Sequence, residues 1–169
     1  MEAHVDIVVE PGVDCPLDEQ EVLRICRMVL DEEDVTRDCF VSVTVVGEEQ
    51  IQDLNAQWRG QDRVTDVISL ECERPDDPDL APGEPCELGD VVLAPAYIAR
   101  QAQRYATTTA DEFRLLLVHG LLHLLGYDHI EESEALAMER REDELVAMLK
   151  TDGCLGSVHV TRHQGDDAL

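Results

Sequence analysis

The chain has 169 residues, 44% of them hydrophobic, and its 38 acidic residues against 13 basic ones give a formal net charge of −25. The length fits one domain with a buried core, and the charge argues against broad, nonspecific binding of nucleic acid. No apolar run approaches the length of a membrane span. The first residues lack the basic and apolar regions of a secretory signal, so we expect a cytoplasmic protein with no membrane and no DNA among its partners.

Strand and helix patterns alternate in the first half of the chain, and helical patterns fill the second half. Alternating or β-branched apolar residues predict the strands, and apolar residues at helical spacing predict the helices. In chain order we predict a strand at His4–Glu10, a helix capped by Asp18, a strand at Phe40–Val46, a short helix ending near Gly60, strands at Val64–Cys72 and Leu88–Leu93, a helix at Ala94–Tyr105, a helix headed by the capping box Thr109-Ala110-Asp111-Glu112, and a helix at Glu131–Lys150.

The connections between these elements predict the sheet. Helices join strands one and two and strands two and three, so both pairs are expected to be parallel. A Pro-, Asp- and Glu-rich segment, Glu73–Glu87, joins strands three and four; it predicts a mobile loop and an antiparallel pair. The sequence therefore predicts an α+β fold: a mixed four-stranded sheet with packed helices and a central metal-binding helix. It predicts a single domain over residues 1–150 and a C-terminal tail over residues 151–169.

Three histidines carry the main chemical signal. His119 and His123 are four residues apart, which places both imidazoles on one face of a helix, one turn apart. Gly126 can end that helix in a left-handed conformation, so that His129 swings back toward the other two. Three converging imidazoles with a fourth position open are typical of a catalytic metal site, in which a metal activates water for hydrolysis.

The same spacing occurs in the zincin-like motif of metzincin proteases, H-E-x-x-H-x-x-G-x-x-H. This chain has each element of that motif except the glutamate, because position 120 is Gly. That glutamate is the general base of the protease reaction. The sequence therefore keeps the metal ligands and lacks the usual peptidase base. Two further histidines, His159 and His163, also lie at helical spacing, but among Gly and Asp residues that favour a solvated tail.

Two further motifs accompany the run H-G-x-x-H-x-x-G-Y-D-H that begins at His119. One is the stretch over residues 54–70 with its Leu-Asn, Trp-Arg-Gly, Thr-Asp-Val and Ser elements, and the other is Leu88-Gly89-Asp90. Together these three features resemble the YbeY family of bacterial rRNA maturation factors. The resemblance covers roughly residues 4–149. It departs from the family at Leu70, where phenylalanine is usual, and this change is expected to affect packing only.

The resemblance implies a single-strand-specific, metal-dependent endoribonuclease. Such enzymes act in maturation of the 3′ end of small-subunit (16S) rRNA and in ribosome quality control. The resemblance further implies one zinc ion per chain on His119, His123 and His129, and catalytic roles for these histidines and for Arg59. The implied partners are single-stranded RNA, the small-subunit rRNA, and the small ribosomal subunit with its proteins.

The residues themselves leave several roles open. Arg59 can bind a phosphate through its permanent charge and two parallel hydrogen bonds, or it can form a surface ion pair. Asp128 either orients a histidine or caps the turn after Gly126. Of Asp66 and Ser69, at most one is expected to face the site, since residues three apart on a strand point to opposite sides.

Other polar residues near these motifs have weaker signals. Asp90 follows a glycine, which predicts a turn. The arginines that could form a local RNA-binding patch, or simply be solvated, are Arg63, Arg100, Arg104 and Arg114.

Two other functions stay in play. A non-catalytic, metal-binding ribosome assembly factor would suit the acidic charge, since such a protein can dock on ribosomal proteins. A metallopeptidase-type hydrolase is disfavoured by Gly120. The metal also stays open, because three imidazoles suit zinc, nickel, copper or iron.

Overall fold

A single four-stranded sheet forms the centre of the computed structural model, which describes residues 1–153. The elements of this part are β1 (Ala3–Val9), α1 (Glu19–Glu32), β2 (Cys39–Val45), α2 (Glu48–Arg59), β3 (Val67–Glu71), β4 (Cys86–Leu93), α3 (Pro95–Arg104), α4 (Thr109–Leu124) and α5 (Glu132–Val146). None of the helices in this part is both long and apolar enough to cross a membrane. Most of the predicted tail, with His159 and His163, lies outside the described residues.

The strands lie in the order β1-β2-β4-β3. β1 and β2 are parallel and β3 and β4 are antiparallel, as the connections predict. The prediction of a parallel pair between the second and third strands is wrong, because β4 lies between them and is parallel to β2. Val91, Val92 and Leu93 of β4 are all buried, on both faces of the sheet. Such a strand suits a central position better than β3 does, so β3 takes the edge.

Helices cover the sheet unequally on its two faces. α1 and α4 pack on one face, where the larger core contains Ile25, Val43 and Leu116. On the other face Ile51 of α2 packs against Ile68 of β3 in a smaller core. Because α4 is buried around most of its circumference, it is the central helix of the fold.

The head of α4 differs by one residue from the prediction. The Thr108 hydroxyl, and not that of Thr109, accepts a hydrogen bond from the Asp111 backbone N–H at 3.0 Å. The side chain of an N-cap residue bonds to the backbone N–H of the third helical residue. Thr108 lies three residues before Asp111, so Thr108 is the N-cap. The predicted capping box is therefore displaced, while the helix itself is confirmed.

The Gly89-Asp90 step is not a turn, so that prediction for Asp90 is wrong. Both residues lie inside β4, where the pairing with β2 shifts register between Phe40 and Val41. Gly89 has φ 128°, and a Cβ at this position would lie 2.1 Å from the Leu70 carbonyl oxygen. The glycine is needed because a bulged strand approaches its neighbour too closely for a side chain.

A loop joins β3 and β4 over residues 72–85, where the composition of Glu73–Glu87 predicts one; its mobility stays a prediction. Arg37, just before β2, donates hydrogen bonds to the carbonyl oxygens of Pro75 at 3.2 Å and Ala81 at 2.7 Å. A third bond from Arg37 reaches the carbonyl oxygen of Glu84. One guanidinium thus holds the acidic loop against the end of the sheet.

Candidate metal centre

The structure brings His119 and His123 together on α4, as their spacing predicts. Their Nε2 atoms lie 3.2 Å apart and their ring centroids 4.6 Å apart. The His119 ring is almost fully buried, at 1% exposed, whereas His123 is half-buried and borders the solvent. The pair therefore forms one wall of a site that opens outward from the core.

The end of α4 returns the chain to this pair. Gly126 has φ 106°, and its N–H bonds to the His123 carbonyl at 3.0 Å while the Tyr127 N–H bonds to that of Leu122 at 3.0 Å. These two bonds are the Schellman arrangement, which glycine favours because it lacks a Cβ. The expected left-handed end at Gly126 is thus confirmed, and the turn directs the next residues back over the helix.

His129 completes the group of histidines. Its ring centroid lies 4.9 Å from that of His123 and 5.5 Å from that of His119. The three candidate ligand atoms lie within 4.8 Å of one another. The structure therefore assembles the three predicted residues into a group that could hold a metal ion.

Hydrogen bonds fix which ring nitrogens face one another. The Nδ1 atom of His123 lies 2.9 Å from the Tyr127 carbonyl oxygen, and Nδ1 of His119 contacts the Glu142 carboxylate. A carbonyl or carboxylate oxygen accepts, so this arrangement assigns the proton of each ring to Nδ1, and in the neutral rings both Nε2 atoms present a lone pair.

Two facing lone pairs repel unless a cation or proton lies between them. Tetrahedral zinc with Zn–N distances near 2.0–2.1 Å separates two ligand nitrogens by about 3.3 Å. The observed Nε2–Nε2 distance of 3.2 Å fits that value. The donor set and its spacing thus suit a metal such as zinc.

Glu142 of α5 is the main site residue that the sequence analysis missed. Its side chain is fully buried and contacts the buried ring of His119. A signal for it exists in the sequence: Ala135, Met138 and Leu145 mark the buried face of α5, and Glu142 falls on the same face. A carboxylate inside an apolar stripe needs a partner, and this could have drawn attention to it.

A second network ties the histidine turn to α1 and α5. Arg141 donates to the Glu33 carboxylate at 2.6 Å, and this ion pair lies beside the Tyr127 side chain. Burial raises the pKa of the Tyr127 hydroxyl to about 12, and its hydrogen bond to Glu33 adds to the rise. The pKa of Arg141 is also raised, chiefly by its hydrogen bond to Glu33. The network therefore holds the turn whose carbonyl orients His123.

Arg59 lies at the end of α2, one residue before Gly60, which ends the helix with φ 70° as predicted. Its guanidinium donates to the Val67 carbonyl oxygen at 3.1 Å. Two residues farther along β3, the Ser69 hydroxyl donates to the Gly120 carbonyl at 3.1 Å, next to His119. Arg59 is thus beside the strand that packs against the histidine helix.

Gly120 occupies the contact between α4 and the sheet. A Cβ at this position would lie 2.6 Å from Cγ1 of Val91 and 3.2 Å from Oγ of Ser69. The position that carries glutamate in the metzincin motif therefore faces β3 and β4 at close range. A larger side chain fits there only if Val91, Ser69 or the helix shifts.

The acidic candidates of the motifs have structural contacts. One oxygen of the Asp128 carboxylate accepts from the backbone N–H of His129 at 2.7 Å, so it stabilises the turn. Asp66 is buried, accepts from the Val67 N–H at 2.7 Å, and binds the Gln101 amide at 3.0 Å. The Ser69 hydroxyl contacts the histidine helix through its bond to the Gly120 carbonyl.

The arginines of the predicted RNA-binding patch divide into two kinds. Arg114 is buried and binds the carboxylates of Glu21 at 2.6 Å and Asp111 at 2.7 Å, which removes it from any surface patch. The other three arginines are exposed. Arg63 donates to Gln61, and Arg104 lies over the Tyr105 ring. Arg100 pairs with Glu48 and lies over the Tyr97 ring.

Arg74 is a second residue that sequence reasoning missed. A Cβ at Gly126 would lie 2.8 Å from its Nη1, so the guanidinium rests on the turn between His123 and His129. It also pairs with Glu71 at 3.0 Å, and about half of its side chain is exposed. Because it lies in an acidic loop far from the histidines in sequence, only the folded chain reveals this contact.

Fold and site together define an α+β protein with a histidine triad that could hold a metal ion. The chain belongs to the family described as endoribonuclease YbeY, whose sequence profile matches residues 13–150. A relative from Thermobifida fusca named endoribonuclease YbeY is 41% identical over 149 residues, which cover 85% of this chain and 92% of the relative. One of the same name from Salinispora tropica is 39% identical, with 85% and 94% covered. The solution structure of TM1509 from Thermotoga maritima matches with a TM-score of 0.55 and 28% identity, over 84% of this chain and 86% of that one.

Proposed function

We propose that this protein is a metal-dependent endoribonuclease specific for single-stranded RNA. The observation that carries the proposal is the convergence of His119, His123 and His129 in a chain of the endoribonuclease YbeY family. We further propose that it matures the 3′ end of 16S rRNA and serves ribosome quality control, with the small ribosomal subunit and its proteins as partners. The proposed compartment is the cytoplasm, and the proposed functional domain is residues 1–150, followed by a tail over residues 151–169.

The three histidines are the proposed ligands of one zinc ion, each through a ring nitrogen that faces the other two. When bound, zinc with an open position supplies Lewis acidity toward a phosphoryl oxygen and lowers the pKa of a water. The ring hydrogen bonds to Glu142 and to the Tyr127 carbonyl hold the imidazoles so that their lone pairs converge. The protein therefore supplies a ligand set that needs little rearrangement on binding.

Arg59 is proposed to bind the phosphate at the cleavage point. Its charge is permanent and its planar donors match two phosphate oxygens. The bond to the Val67 carbonyl limits its freedom, and the Arg74 guanidinium at the histidine turn adds a second local cation. Local cations are needed because the net charge of −25 repels RNA at long range.

The packing around Gly120 argues against a peptidase. A protease of this motif needs a glutamate at this position as its general base. Here the position is closed by Val91 and Ser69, so neither a glutamate nor a substitute of similar size fits. The site therefore favours chemistry in which a metal and an arginine act on a phosphodiester.

The test is cleavage of single-stranded RNA by the purified protein, with metal content measured on the same sample. Arg59→Glu is expected to lower the cleavage rate about 100-fold or more, and His123→Ala is expected to lose both metal and cleavage. Arg27→Glu, an exposed arginine on α1, makes the same charge change and should retain activity.

Three outcomes would overturn the proposal. Bound metal with no cleavage above the variants would favour the ribosome assembly factor, whose acidic surface suits docking on ribosomal proteins. Hydrolysis of casein with none of RNA would favour the peptidase. Loss of folding in His123→Ala, with no cleavage by the wild type, would make the metal structural.

A further inference from the structure

We propose that Glu142 is a positioning residue of the metal centre: it fixes His119 with the proton on Nδ1 and supplies negative charge behind the ligand. The inference rests on the proposed metal centre and goes beyond the histidines and Arg59. It makes Glu142 a determinant of metal affinity, although its own carboxylate contacts a ring and not the ion position.

The contact between Glu142 and His119 is sealed from solvent. Glu142 is 0% exposed and His119 is 1% exposed, and Oε1 of the carboxylate meets Nδ1 of the ring. Oε2 of Glu142 is buried and has no hydrogen-bond partner among the described residues. A buried carboxylate with one donor is unfavourable by itself, because its desolvation is only partly offset.

A divalent cation on the far side of the ring supplies the missing compensation. An imidazole that binds a metal through Nε2 becomes a stronger donor at Nδ1, and a carboxylate acceptor in turn makes the ring a better ligand. The proposed ion and Glu142 therefore stabilise one another through His119. This mutual effect explains why the fold keeps a charged group in the apolar face of α5.

The position of Glu142 is fixed by its neighbour. Arg141 binds the Glu33 carboxylate at 2.6 Å and the Glu32 carbonyl oxygen at 2.8 Å, both at the end of α1. These bonds set the rotation of α5 so that the following residue points at α4. A rotation of α5 that carried Glu142 toward solvent would break these bonds, so the anchor keeps the carboxylate on the side of the ring.

The two histidines of α4 are consequently held in different ways. Nδ1 of His123 meets a neutral carbonyl, that of Tyr127, at a half-exposed position. His119 meets a carboxylate in the interior. The charged partner makes His119 the stronger metal ligand of the two histidines. We therefore expect the loss of Glu142 to weaken metal binding more than the loss of another carboxylate on α5 does.

The experiment compares Glu142→Gln and Glu142→Leu with the wild type and with Glu134→Gln, an exposed carboxylate two turns away on the same helix. The zinc dissociation constant is measured by competition with a chelator, and the visible spectrum of the cobalt-loaded protein reports the ligand field. Thermal midpoints are recorded with and without zinc, since binding to the folded state raises the midpoint.

We expect zinc to bind about 10- to 100-fold more weakly in Glu142→Gln, and more weakly still in Glu142→Leu. The cobalt spectrum should shift in both, and the zinc-dependent rise in midpoint should shrink. Glu134→Gln should match the wild type. Because the glutamine is isosteric and keeps an acceptor oxygen, it retains the fold even if the leucine variant does not.

A purely structural role gives another pattern. Lower midpoints of the metal-free variants, with unchanged zinc affinity and an unchanged cobalt spectrum, would overturn the inference while leaving the metal centre intact. Absence of zinc binding by the wild type would overturn the metal centre and this inference together. Neither readout depends on RNA cleavage, so failure of the nuclease function is seen separately.

Discussion

The contact between Gly120 and Val91 predicts that one added methyl group destabilises the fold. In Gly120→Ala the new Cβ would lie 2.6 Å and 3.3 Å from the two γ-carbons of Val91 and 3.2 Å from Oγ of Ser69. Valine cannot yield easily, because its β-branched side chain has few rotamers. Overpacking of this kind costs about 1–3 kcal/mol, against a gain of about 1 kcal/mol for alanine over glycine in a helix.

The net expectation for Gly120→Ala is a loss of roughly 1 kcal/mol, which lowers the thermal midpoint by about 2–4 °C. A double-mutant cycle with Val91→Ala isolates the contact, because that change removes both γ-carbons. Val91→Ala alone should cost about 1–3 kcal/mol. In its background Gly120→Ala should become stabilising by up to about 1 kcal/mol, since the helix preference is then opposed only by the 3.2 Å contact with Oγ of Ser69.

The assay is urea unfolding of the four metal-free proteins followed by circular dichroism. The expected coupling between the two positions is about 1–3 kcal/mol in favour of the double variant. Additivity of the two changes within about 0.5 kcal/mol would refute the argument that packing against β4 excludes a side chain at position 120.

Three further predictions follow from other contacts. Gly89→Ala should unfold the protein or lower its free energy of unfolding by several kcal/mol, because the new Cβ would lie 2.1 Å from a backbone oxygen. The control Gly83→Ala has a similar positive φ of 82° but open space around the new Cβ, so it should cost only about 1–2 kcal/mol. Chemical denaturation measures both. Arg114→Met should destabilise by about 3–5 kcal/mol, because it removes the charge partner of the buried Asp111 carboxylate and of Glu21. The salt dependence of RNA binding should stay unchanged; a smaller salt slope would place Arg114 at the RNA. The pKa of Tyr127 is raised from 10.0 to about 12, so its stabilising contribution is complete below pH 10 and is lost as the pH rises toward 12. Tyrosinate absorbance should show one component titrating near pH 12 that Tyr127→Phe abolishes, and persistence of that component would contradict the assignment.

The sequence predicts most of the elements because local signals determine them. Asp18 caps α1 and Gly60 ends α2, as their residue types require. The order of the strands could not be fully predicted from the sequence. A helix between two strands predicts that they are parallel neighbours, but it does not exclude a third strand inserted between them. β4 takes that place because it buries side chains on both faces.

The histidine triad is likewise a local signal, carried by eleven consecutive residues, His119–His129. Glu142 contacts His119 and Arg74 contacts the turn at Gly126, both from outside this run, and their places depend on the packing of α5 and of the loop after β3. Gly120 shows most clearly what the sequence cannot reveal. The sequence shows that position 120 is glycine, but only the fold shows that Val91 lies too close for a side chain there.

The most direct test of the account is to remove the metal from the purified protein and restore zinc in steps while RNA cleavage and bound metal are both measured. We predict that cleavage disappears in the metal-free protein and rises in proportion to occupancy, up to about one zinc per chain. His123→Ala should show neither recovery nor binding. Cleavage that persists without metal, or that does not follow occupancy of the histidine site, would contradict a metal-dependent nuclease.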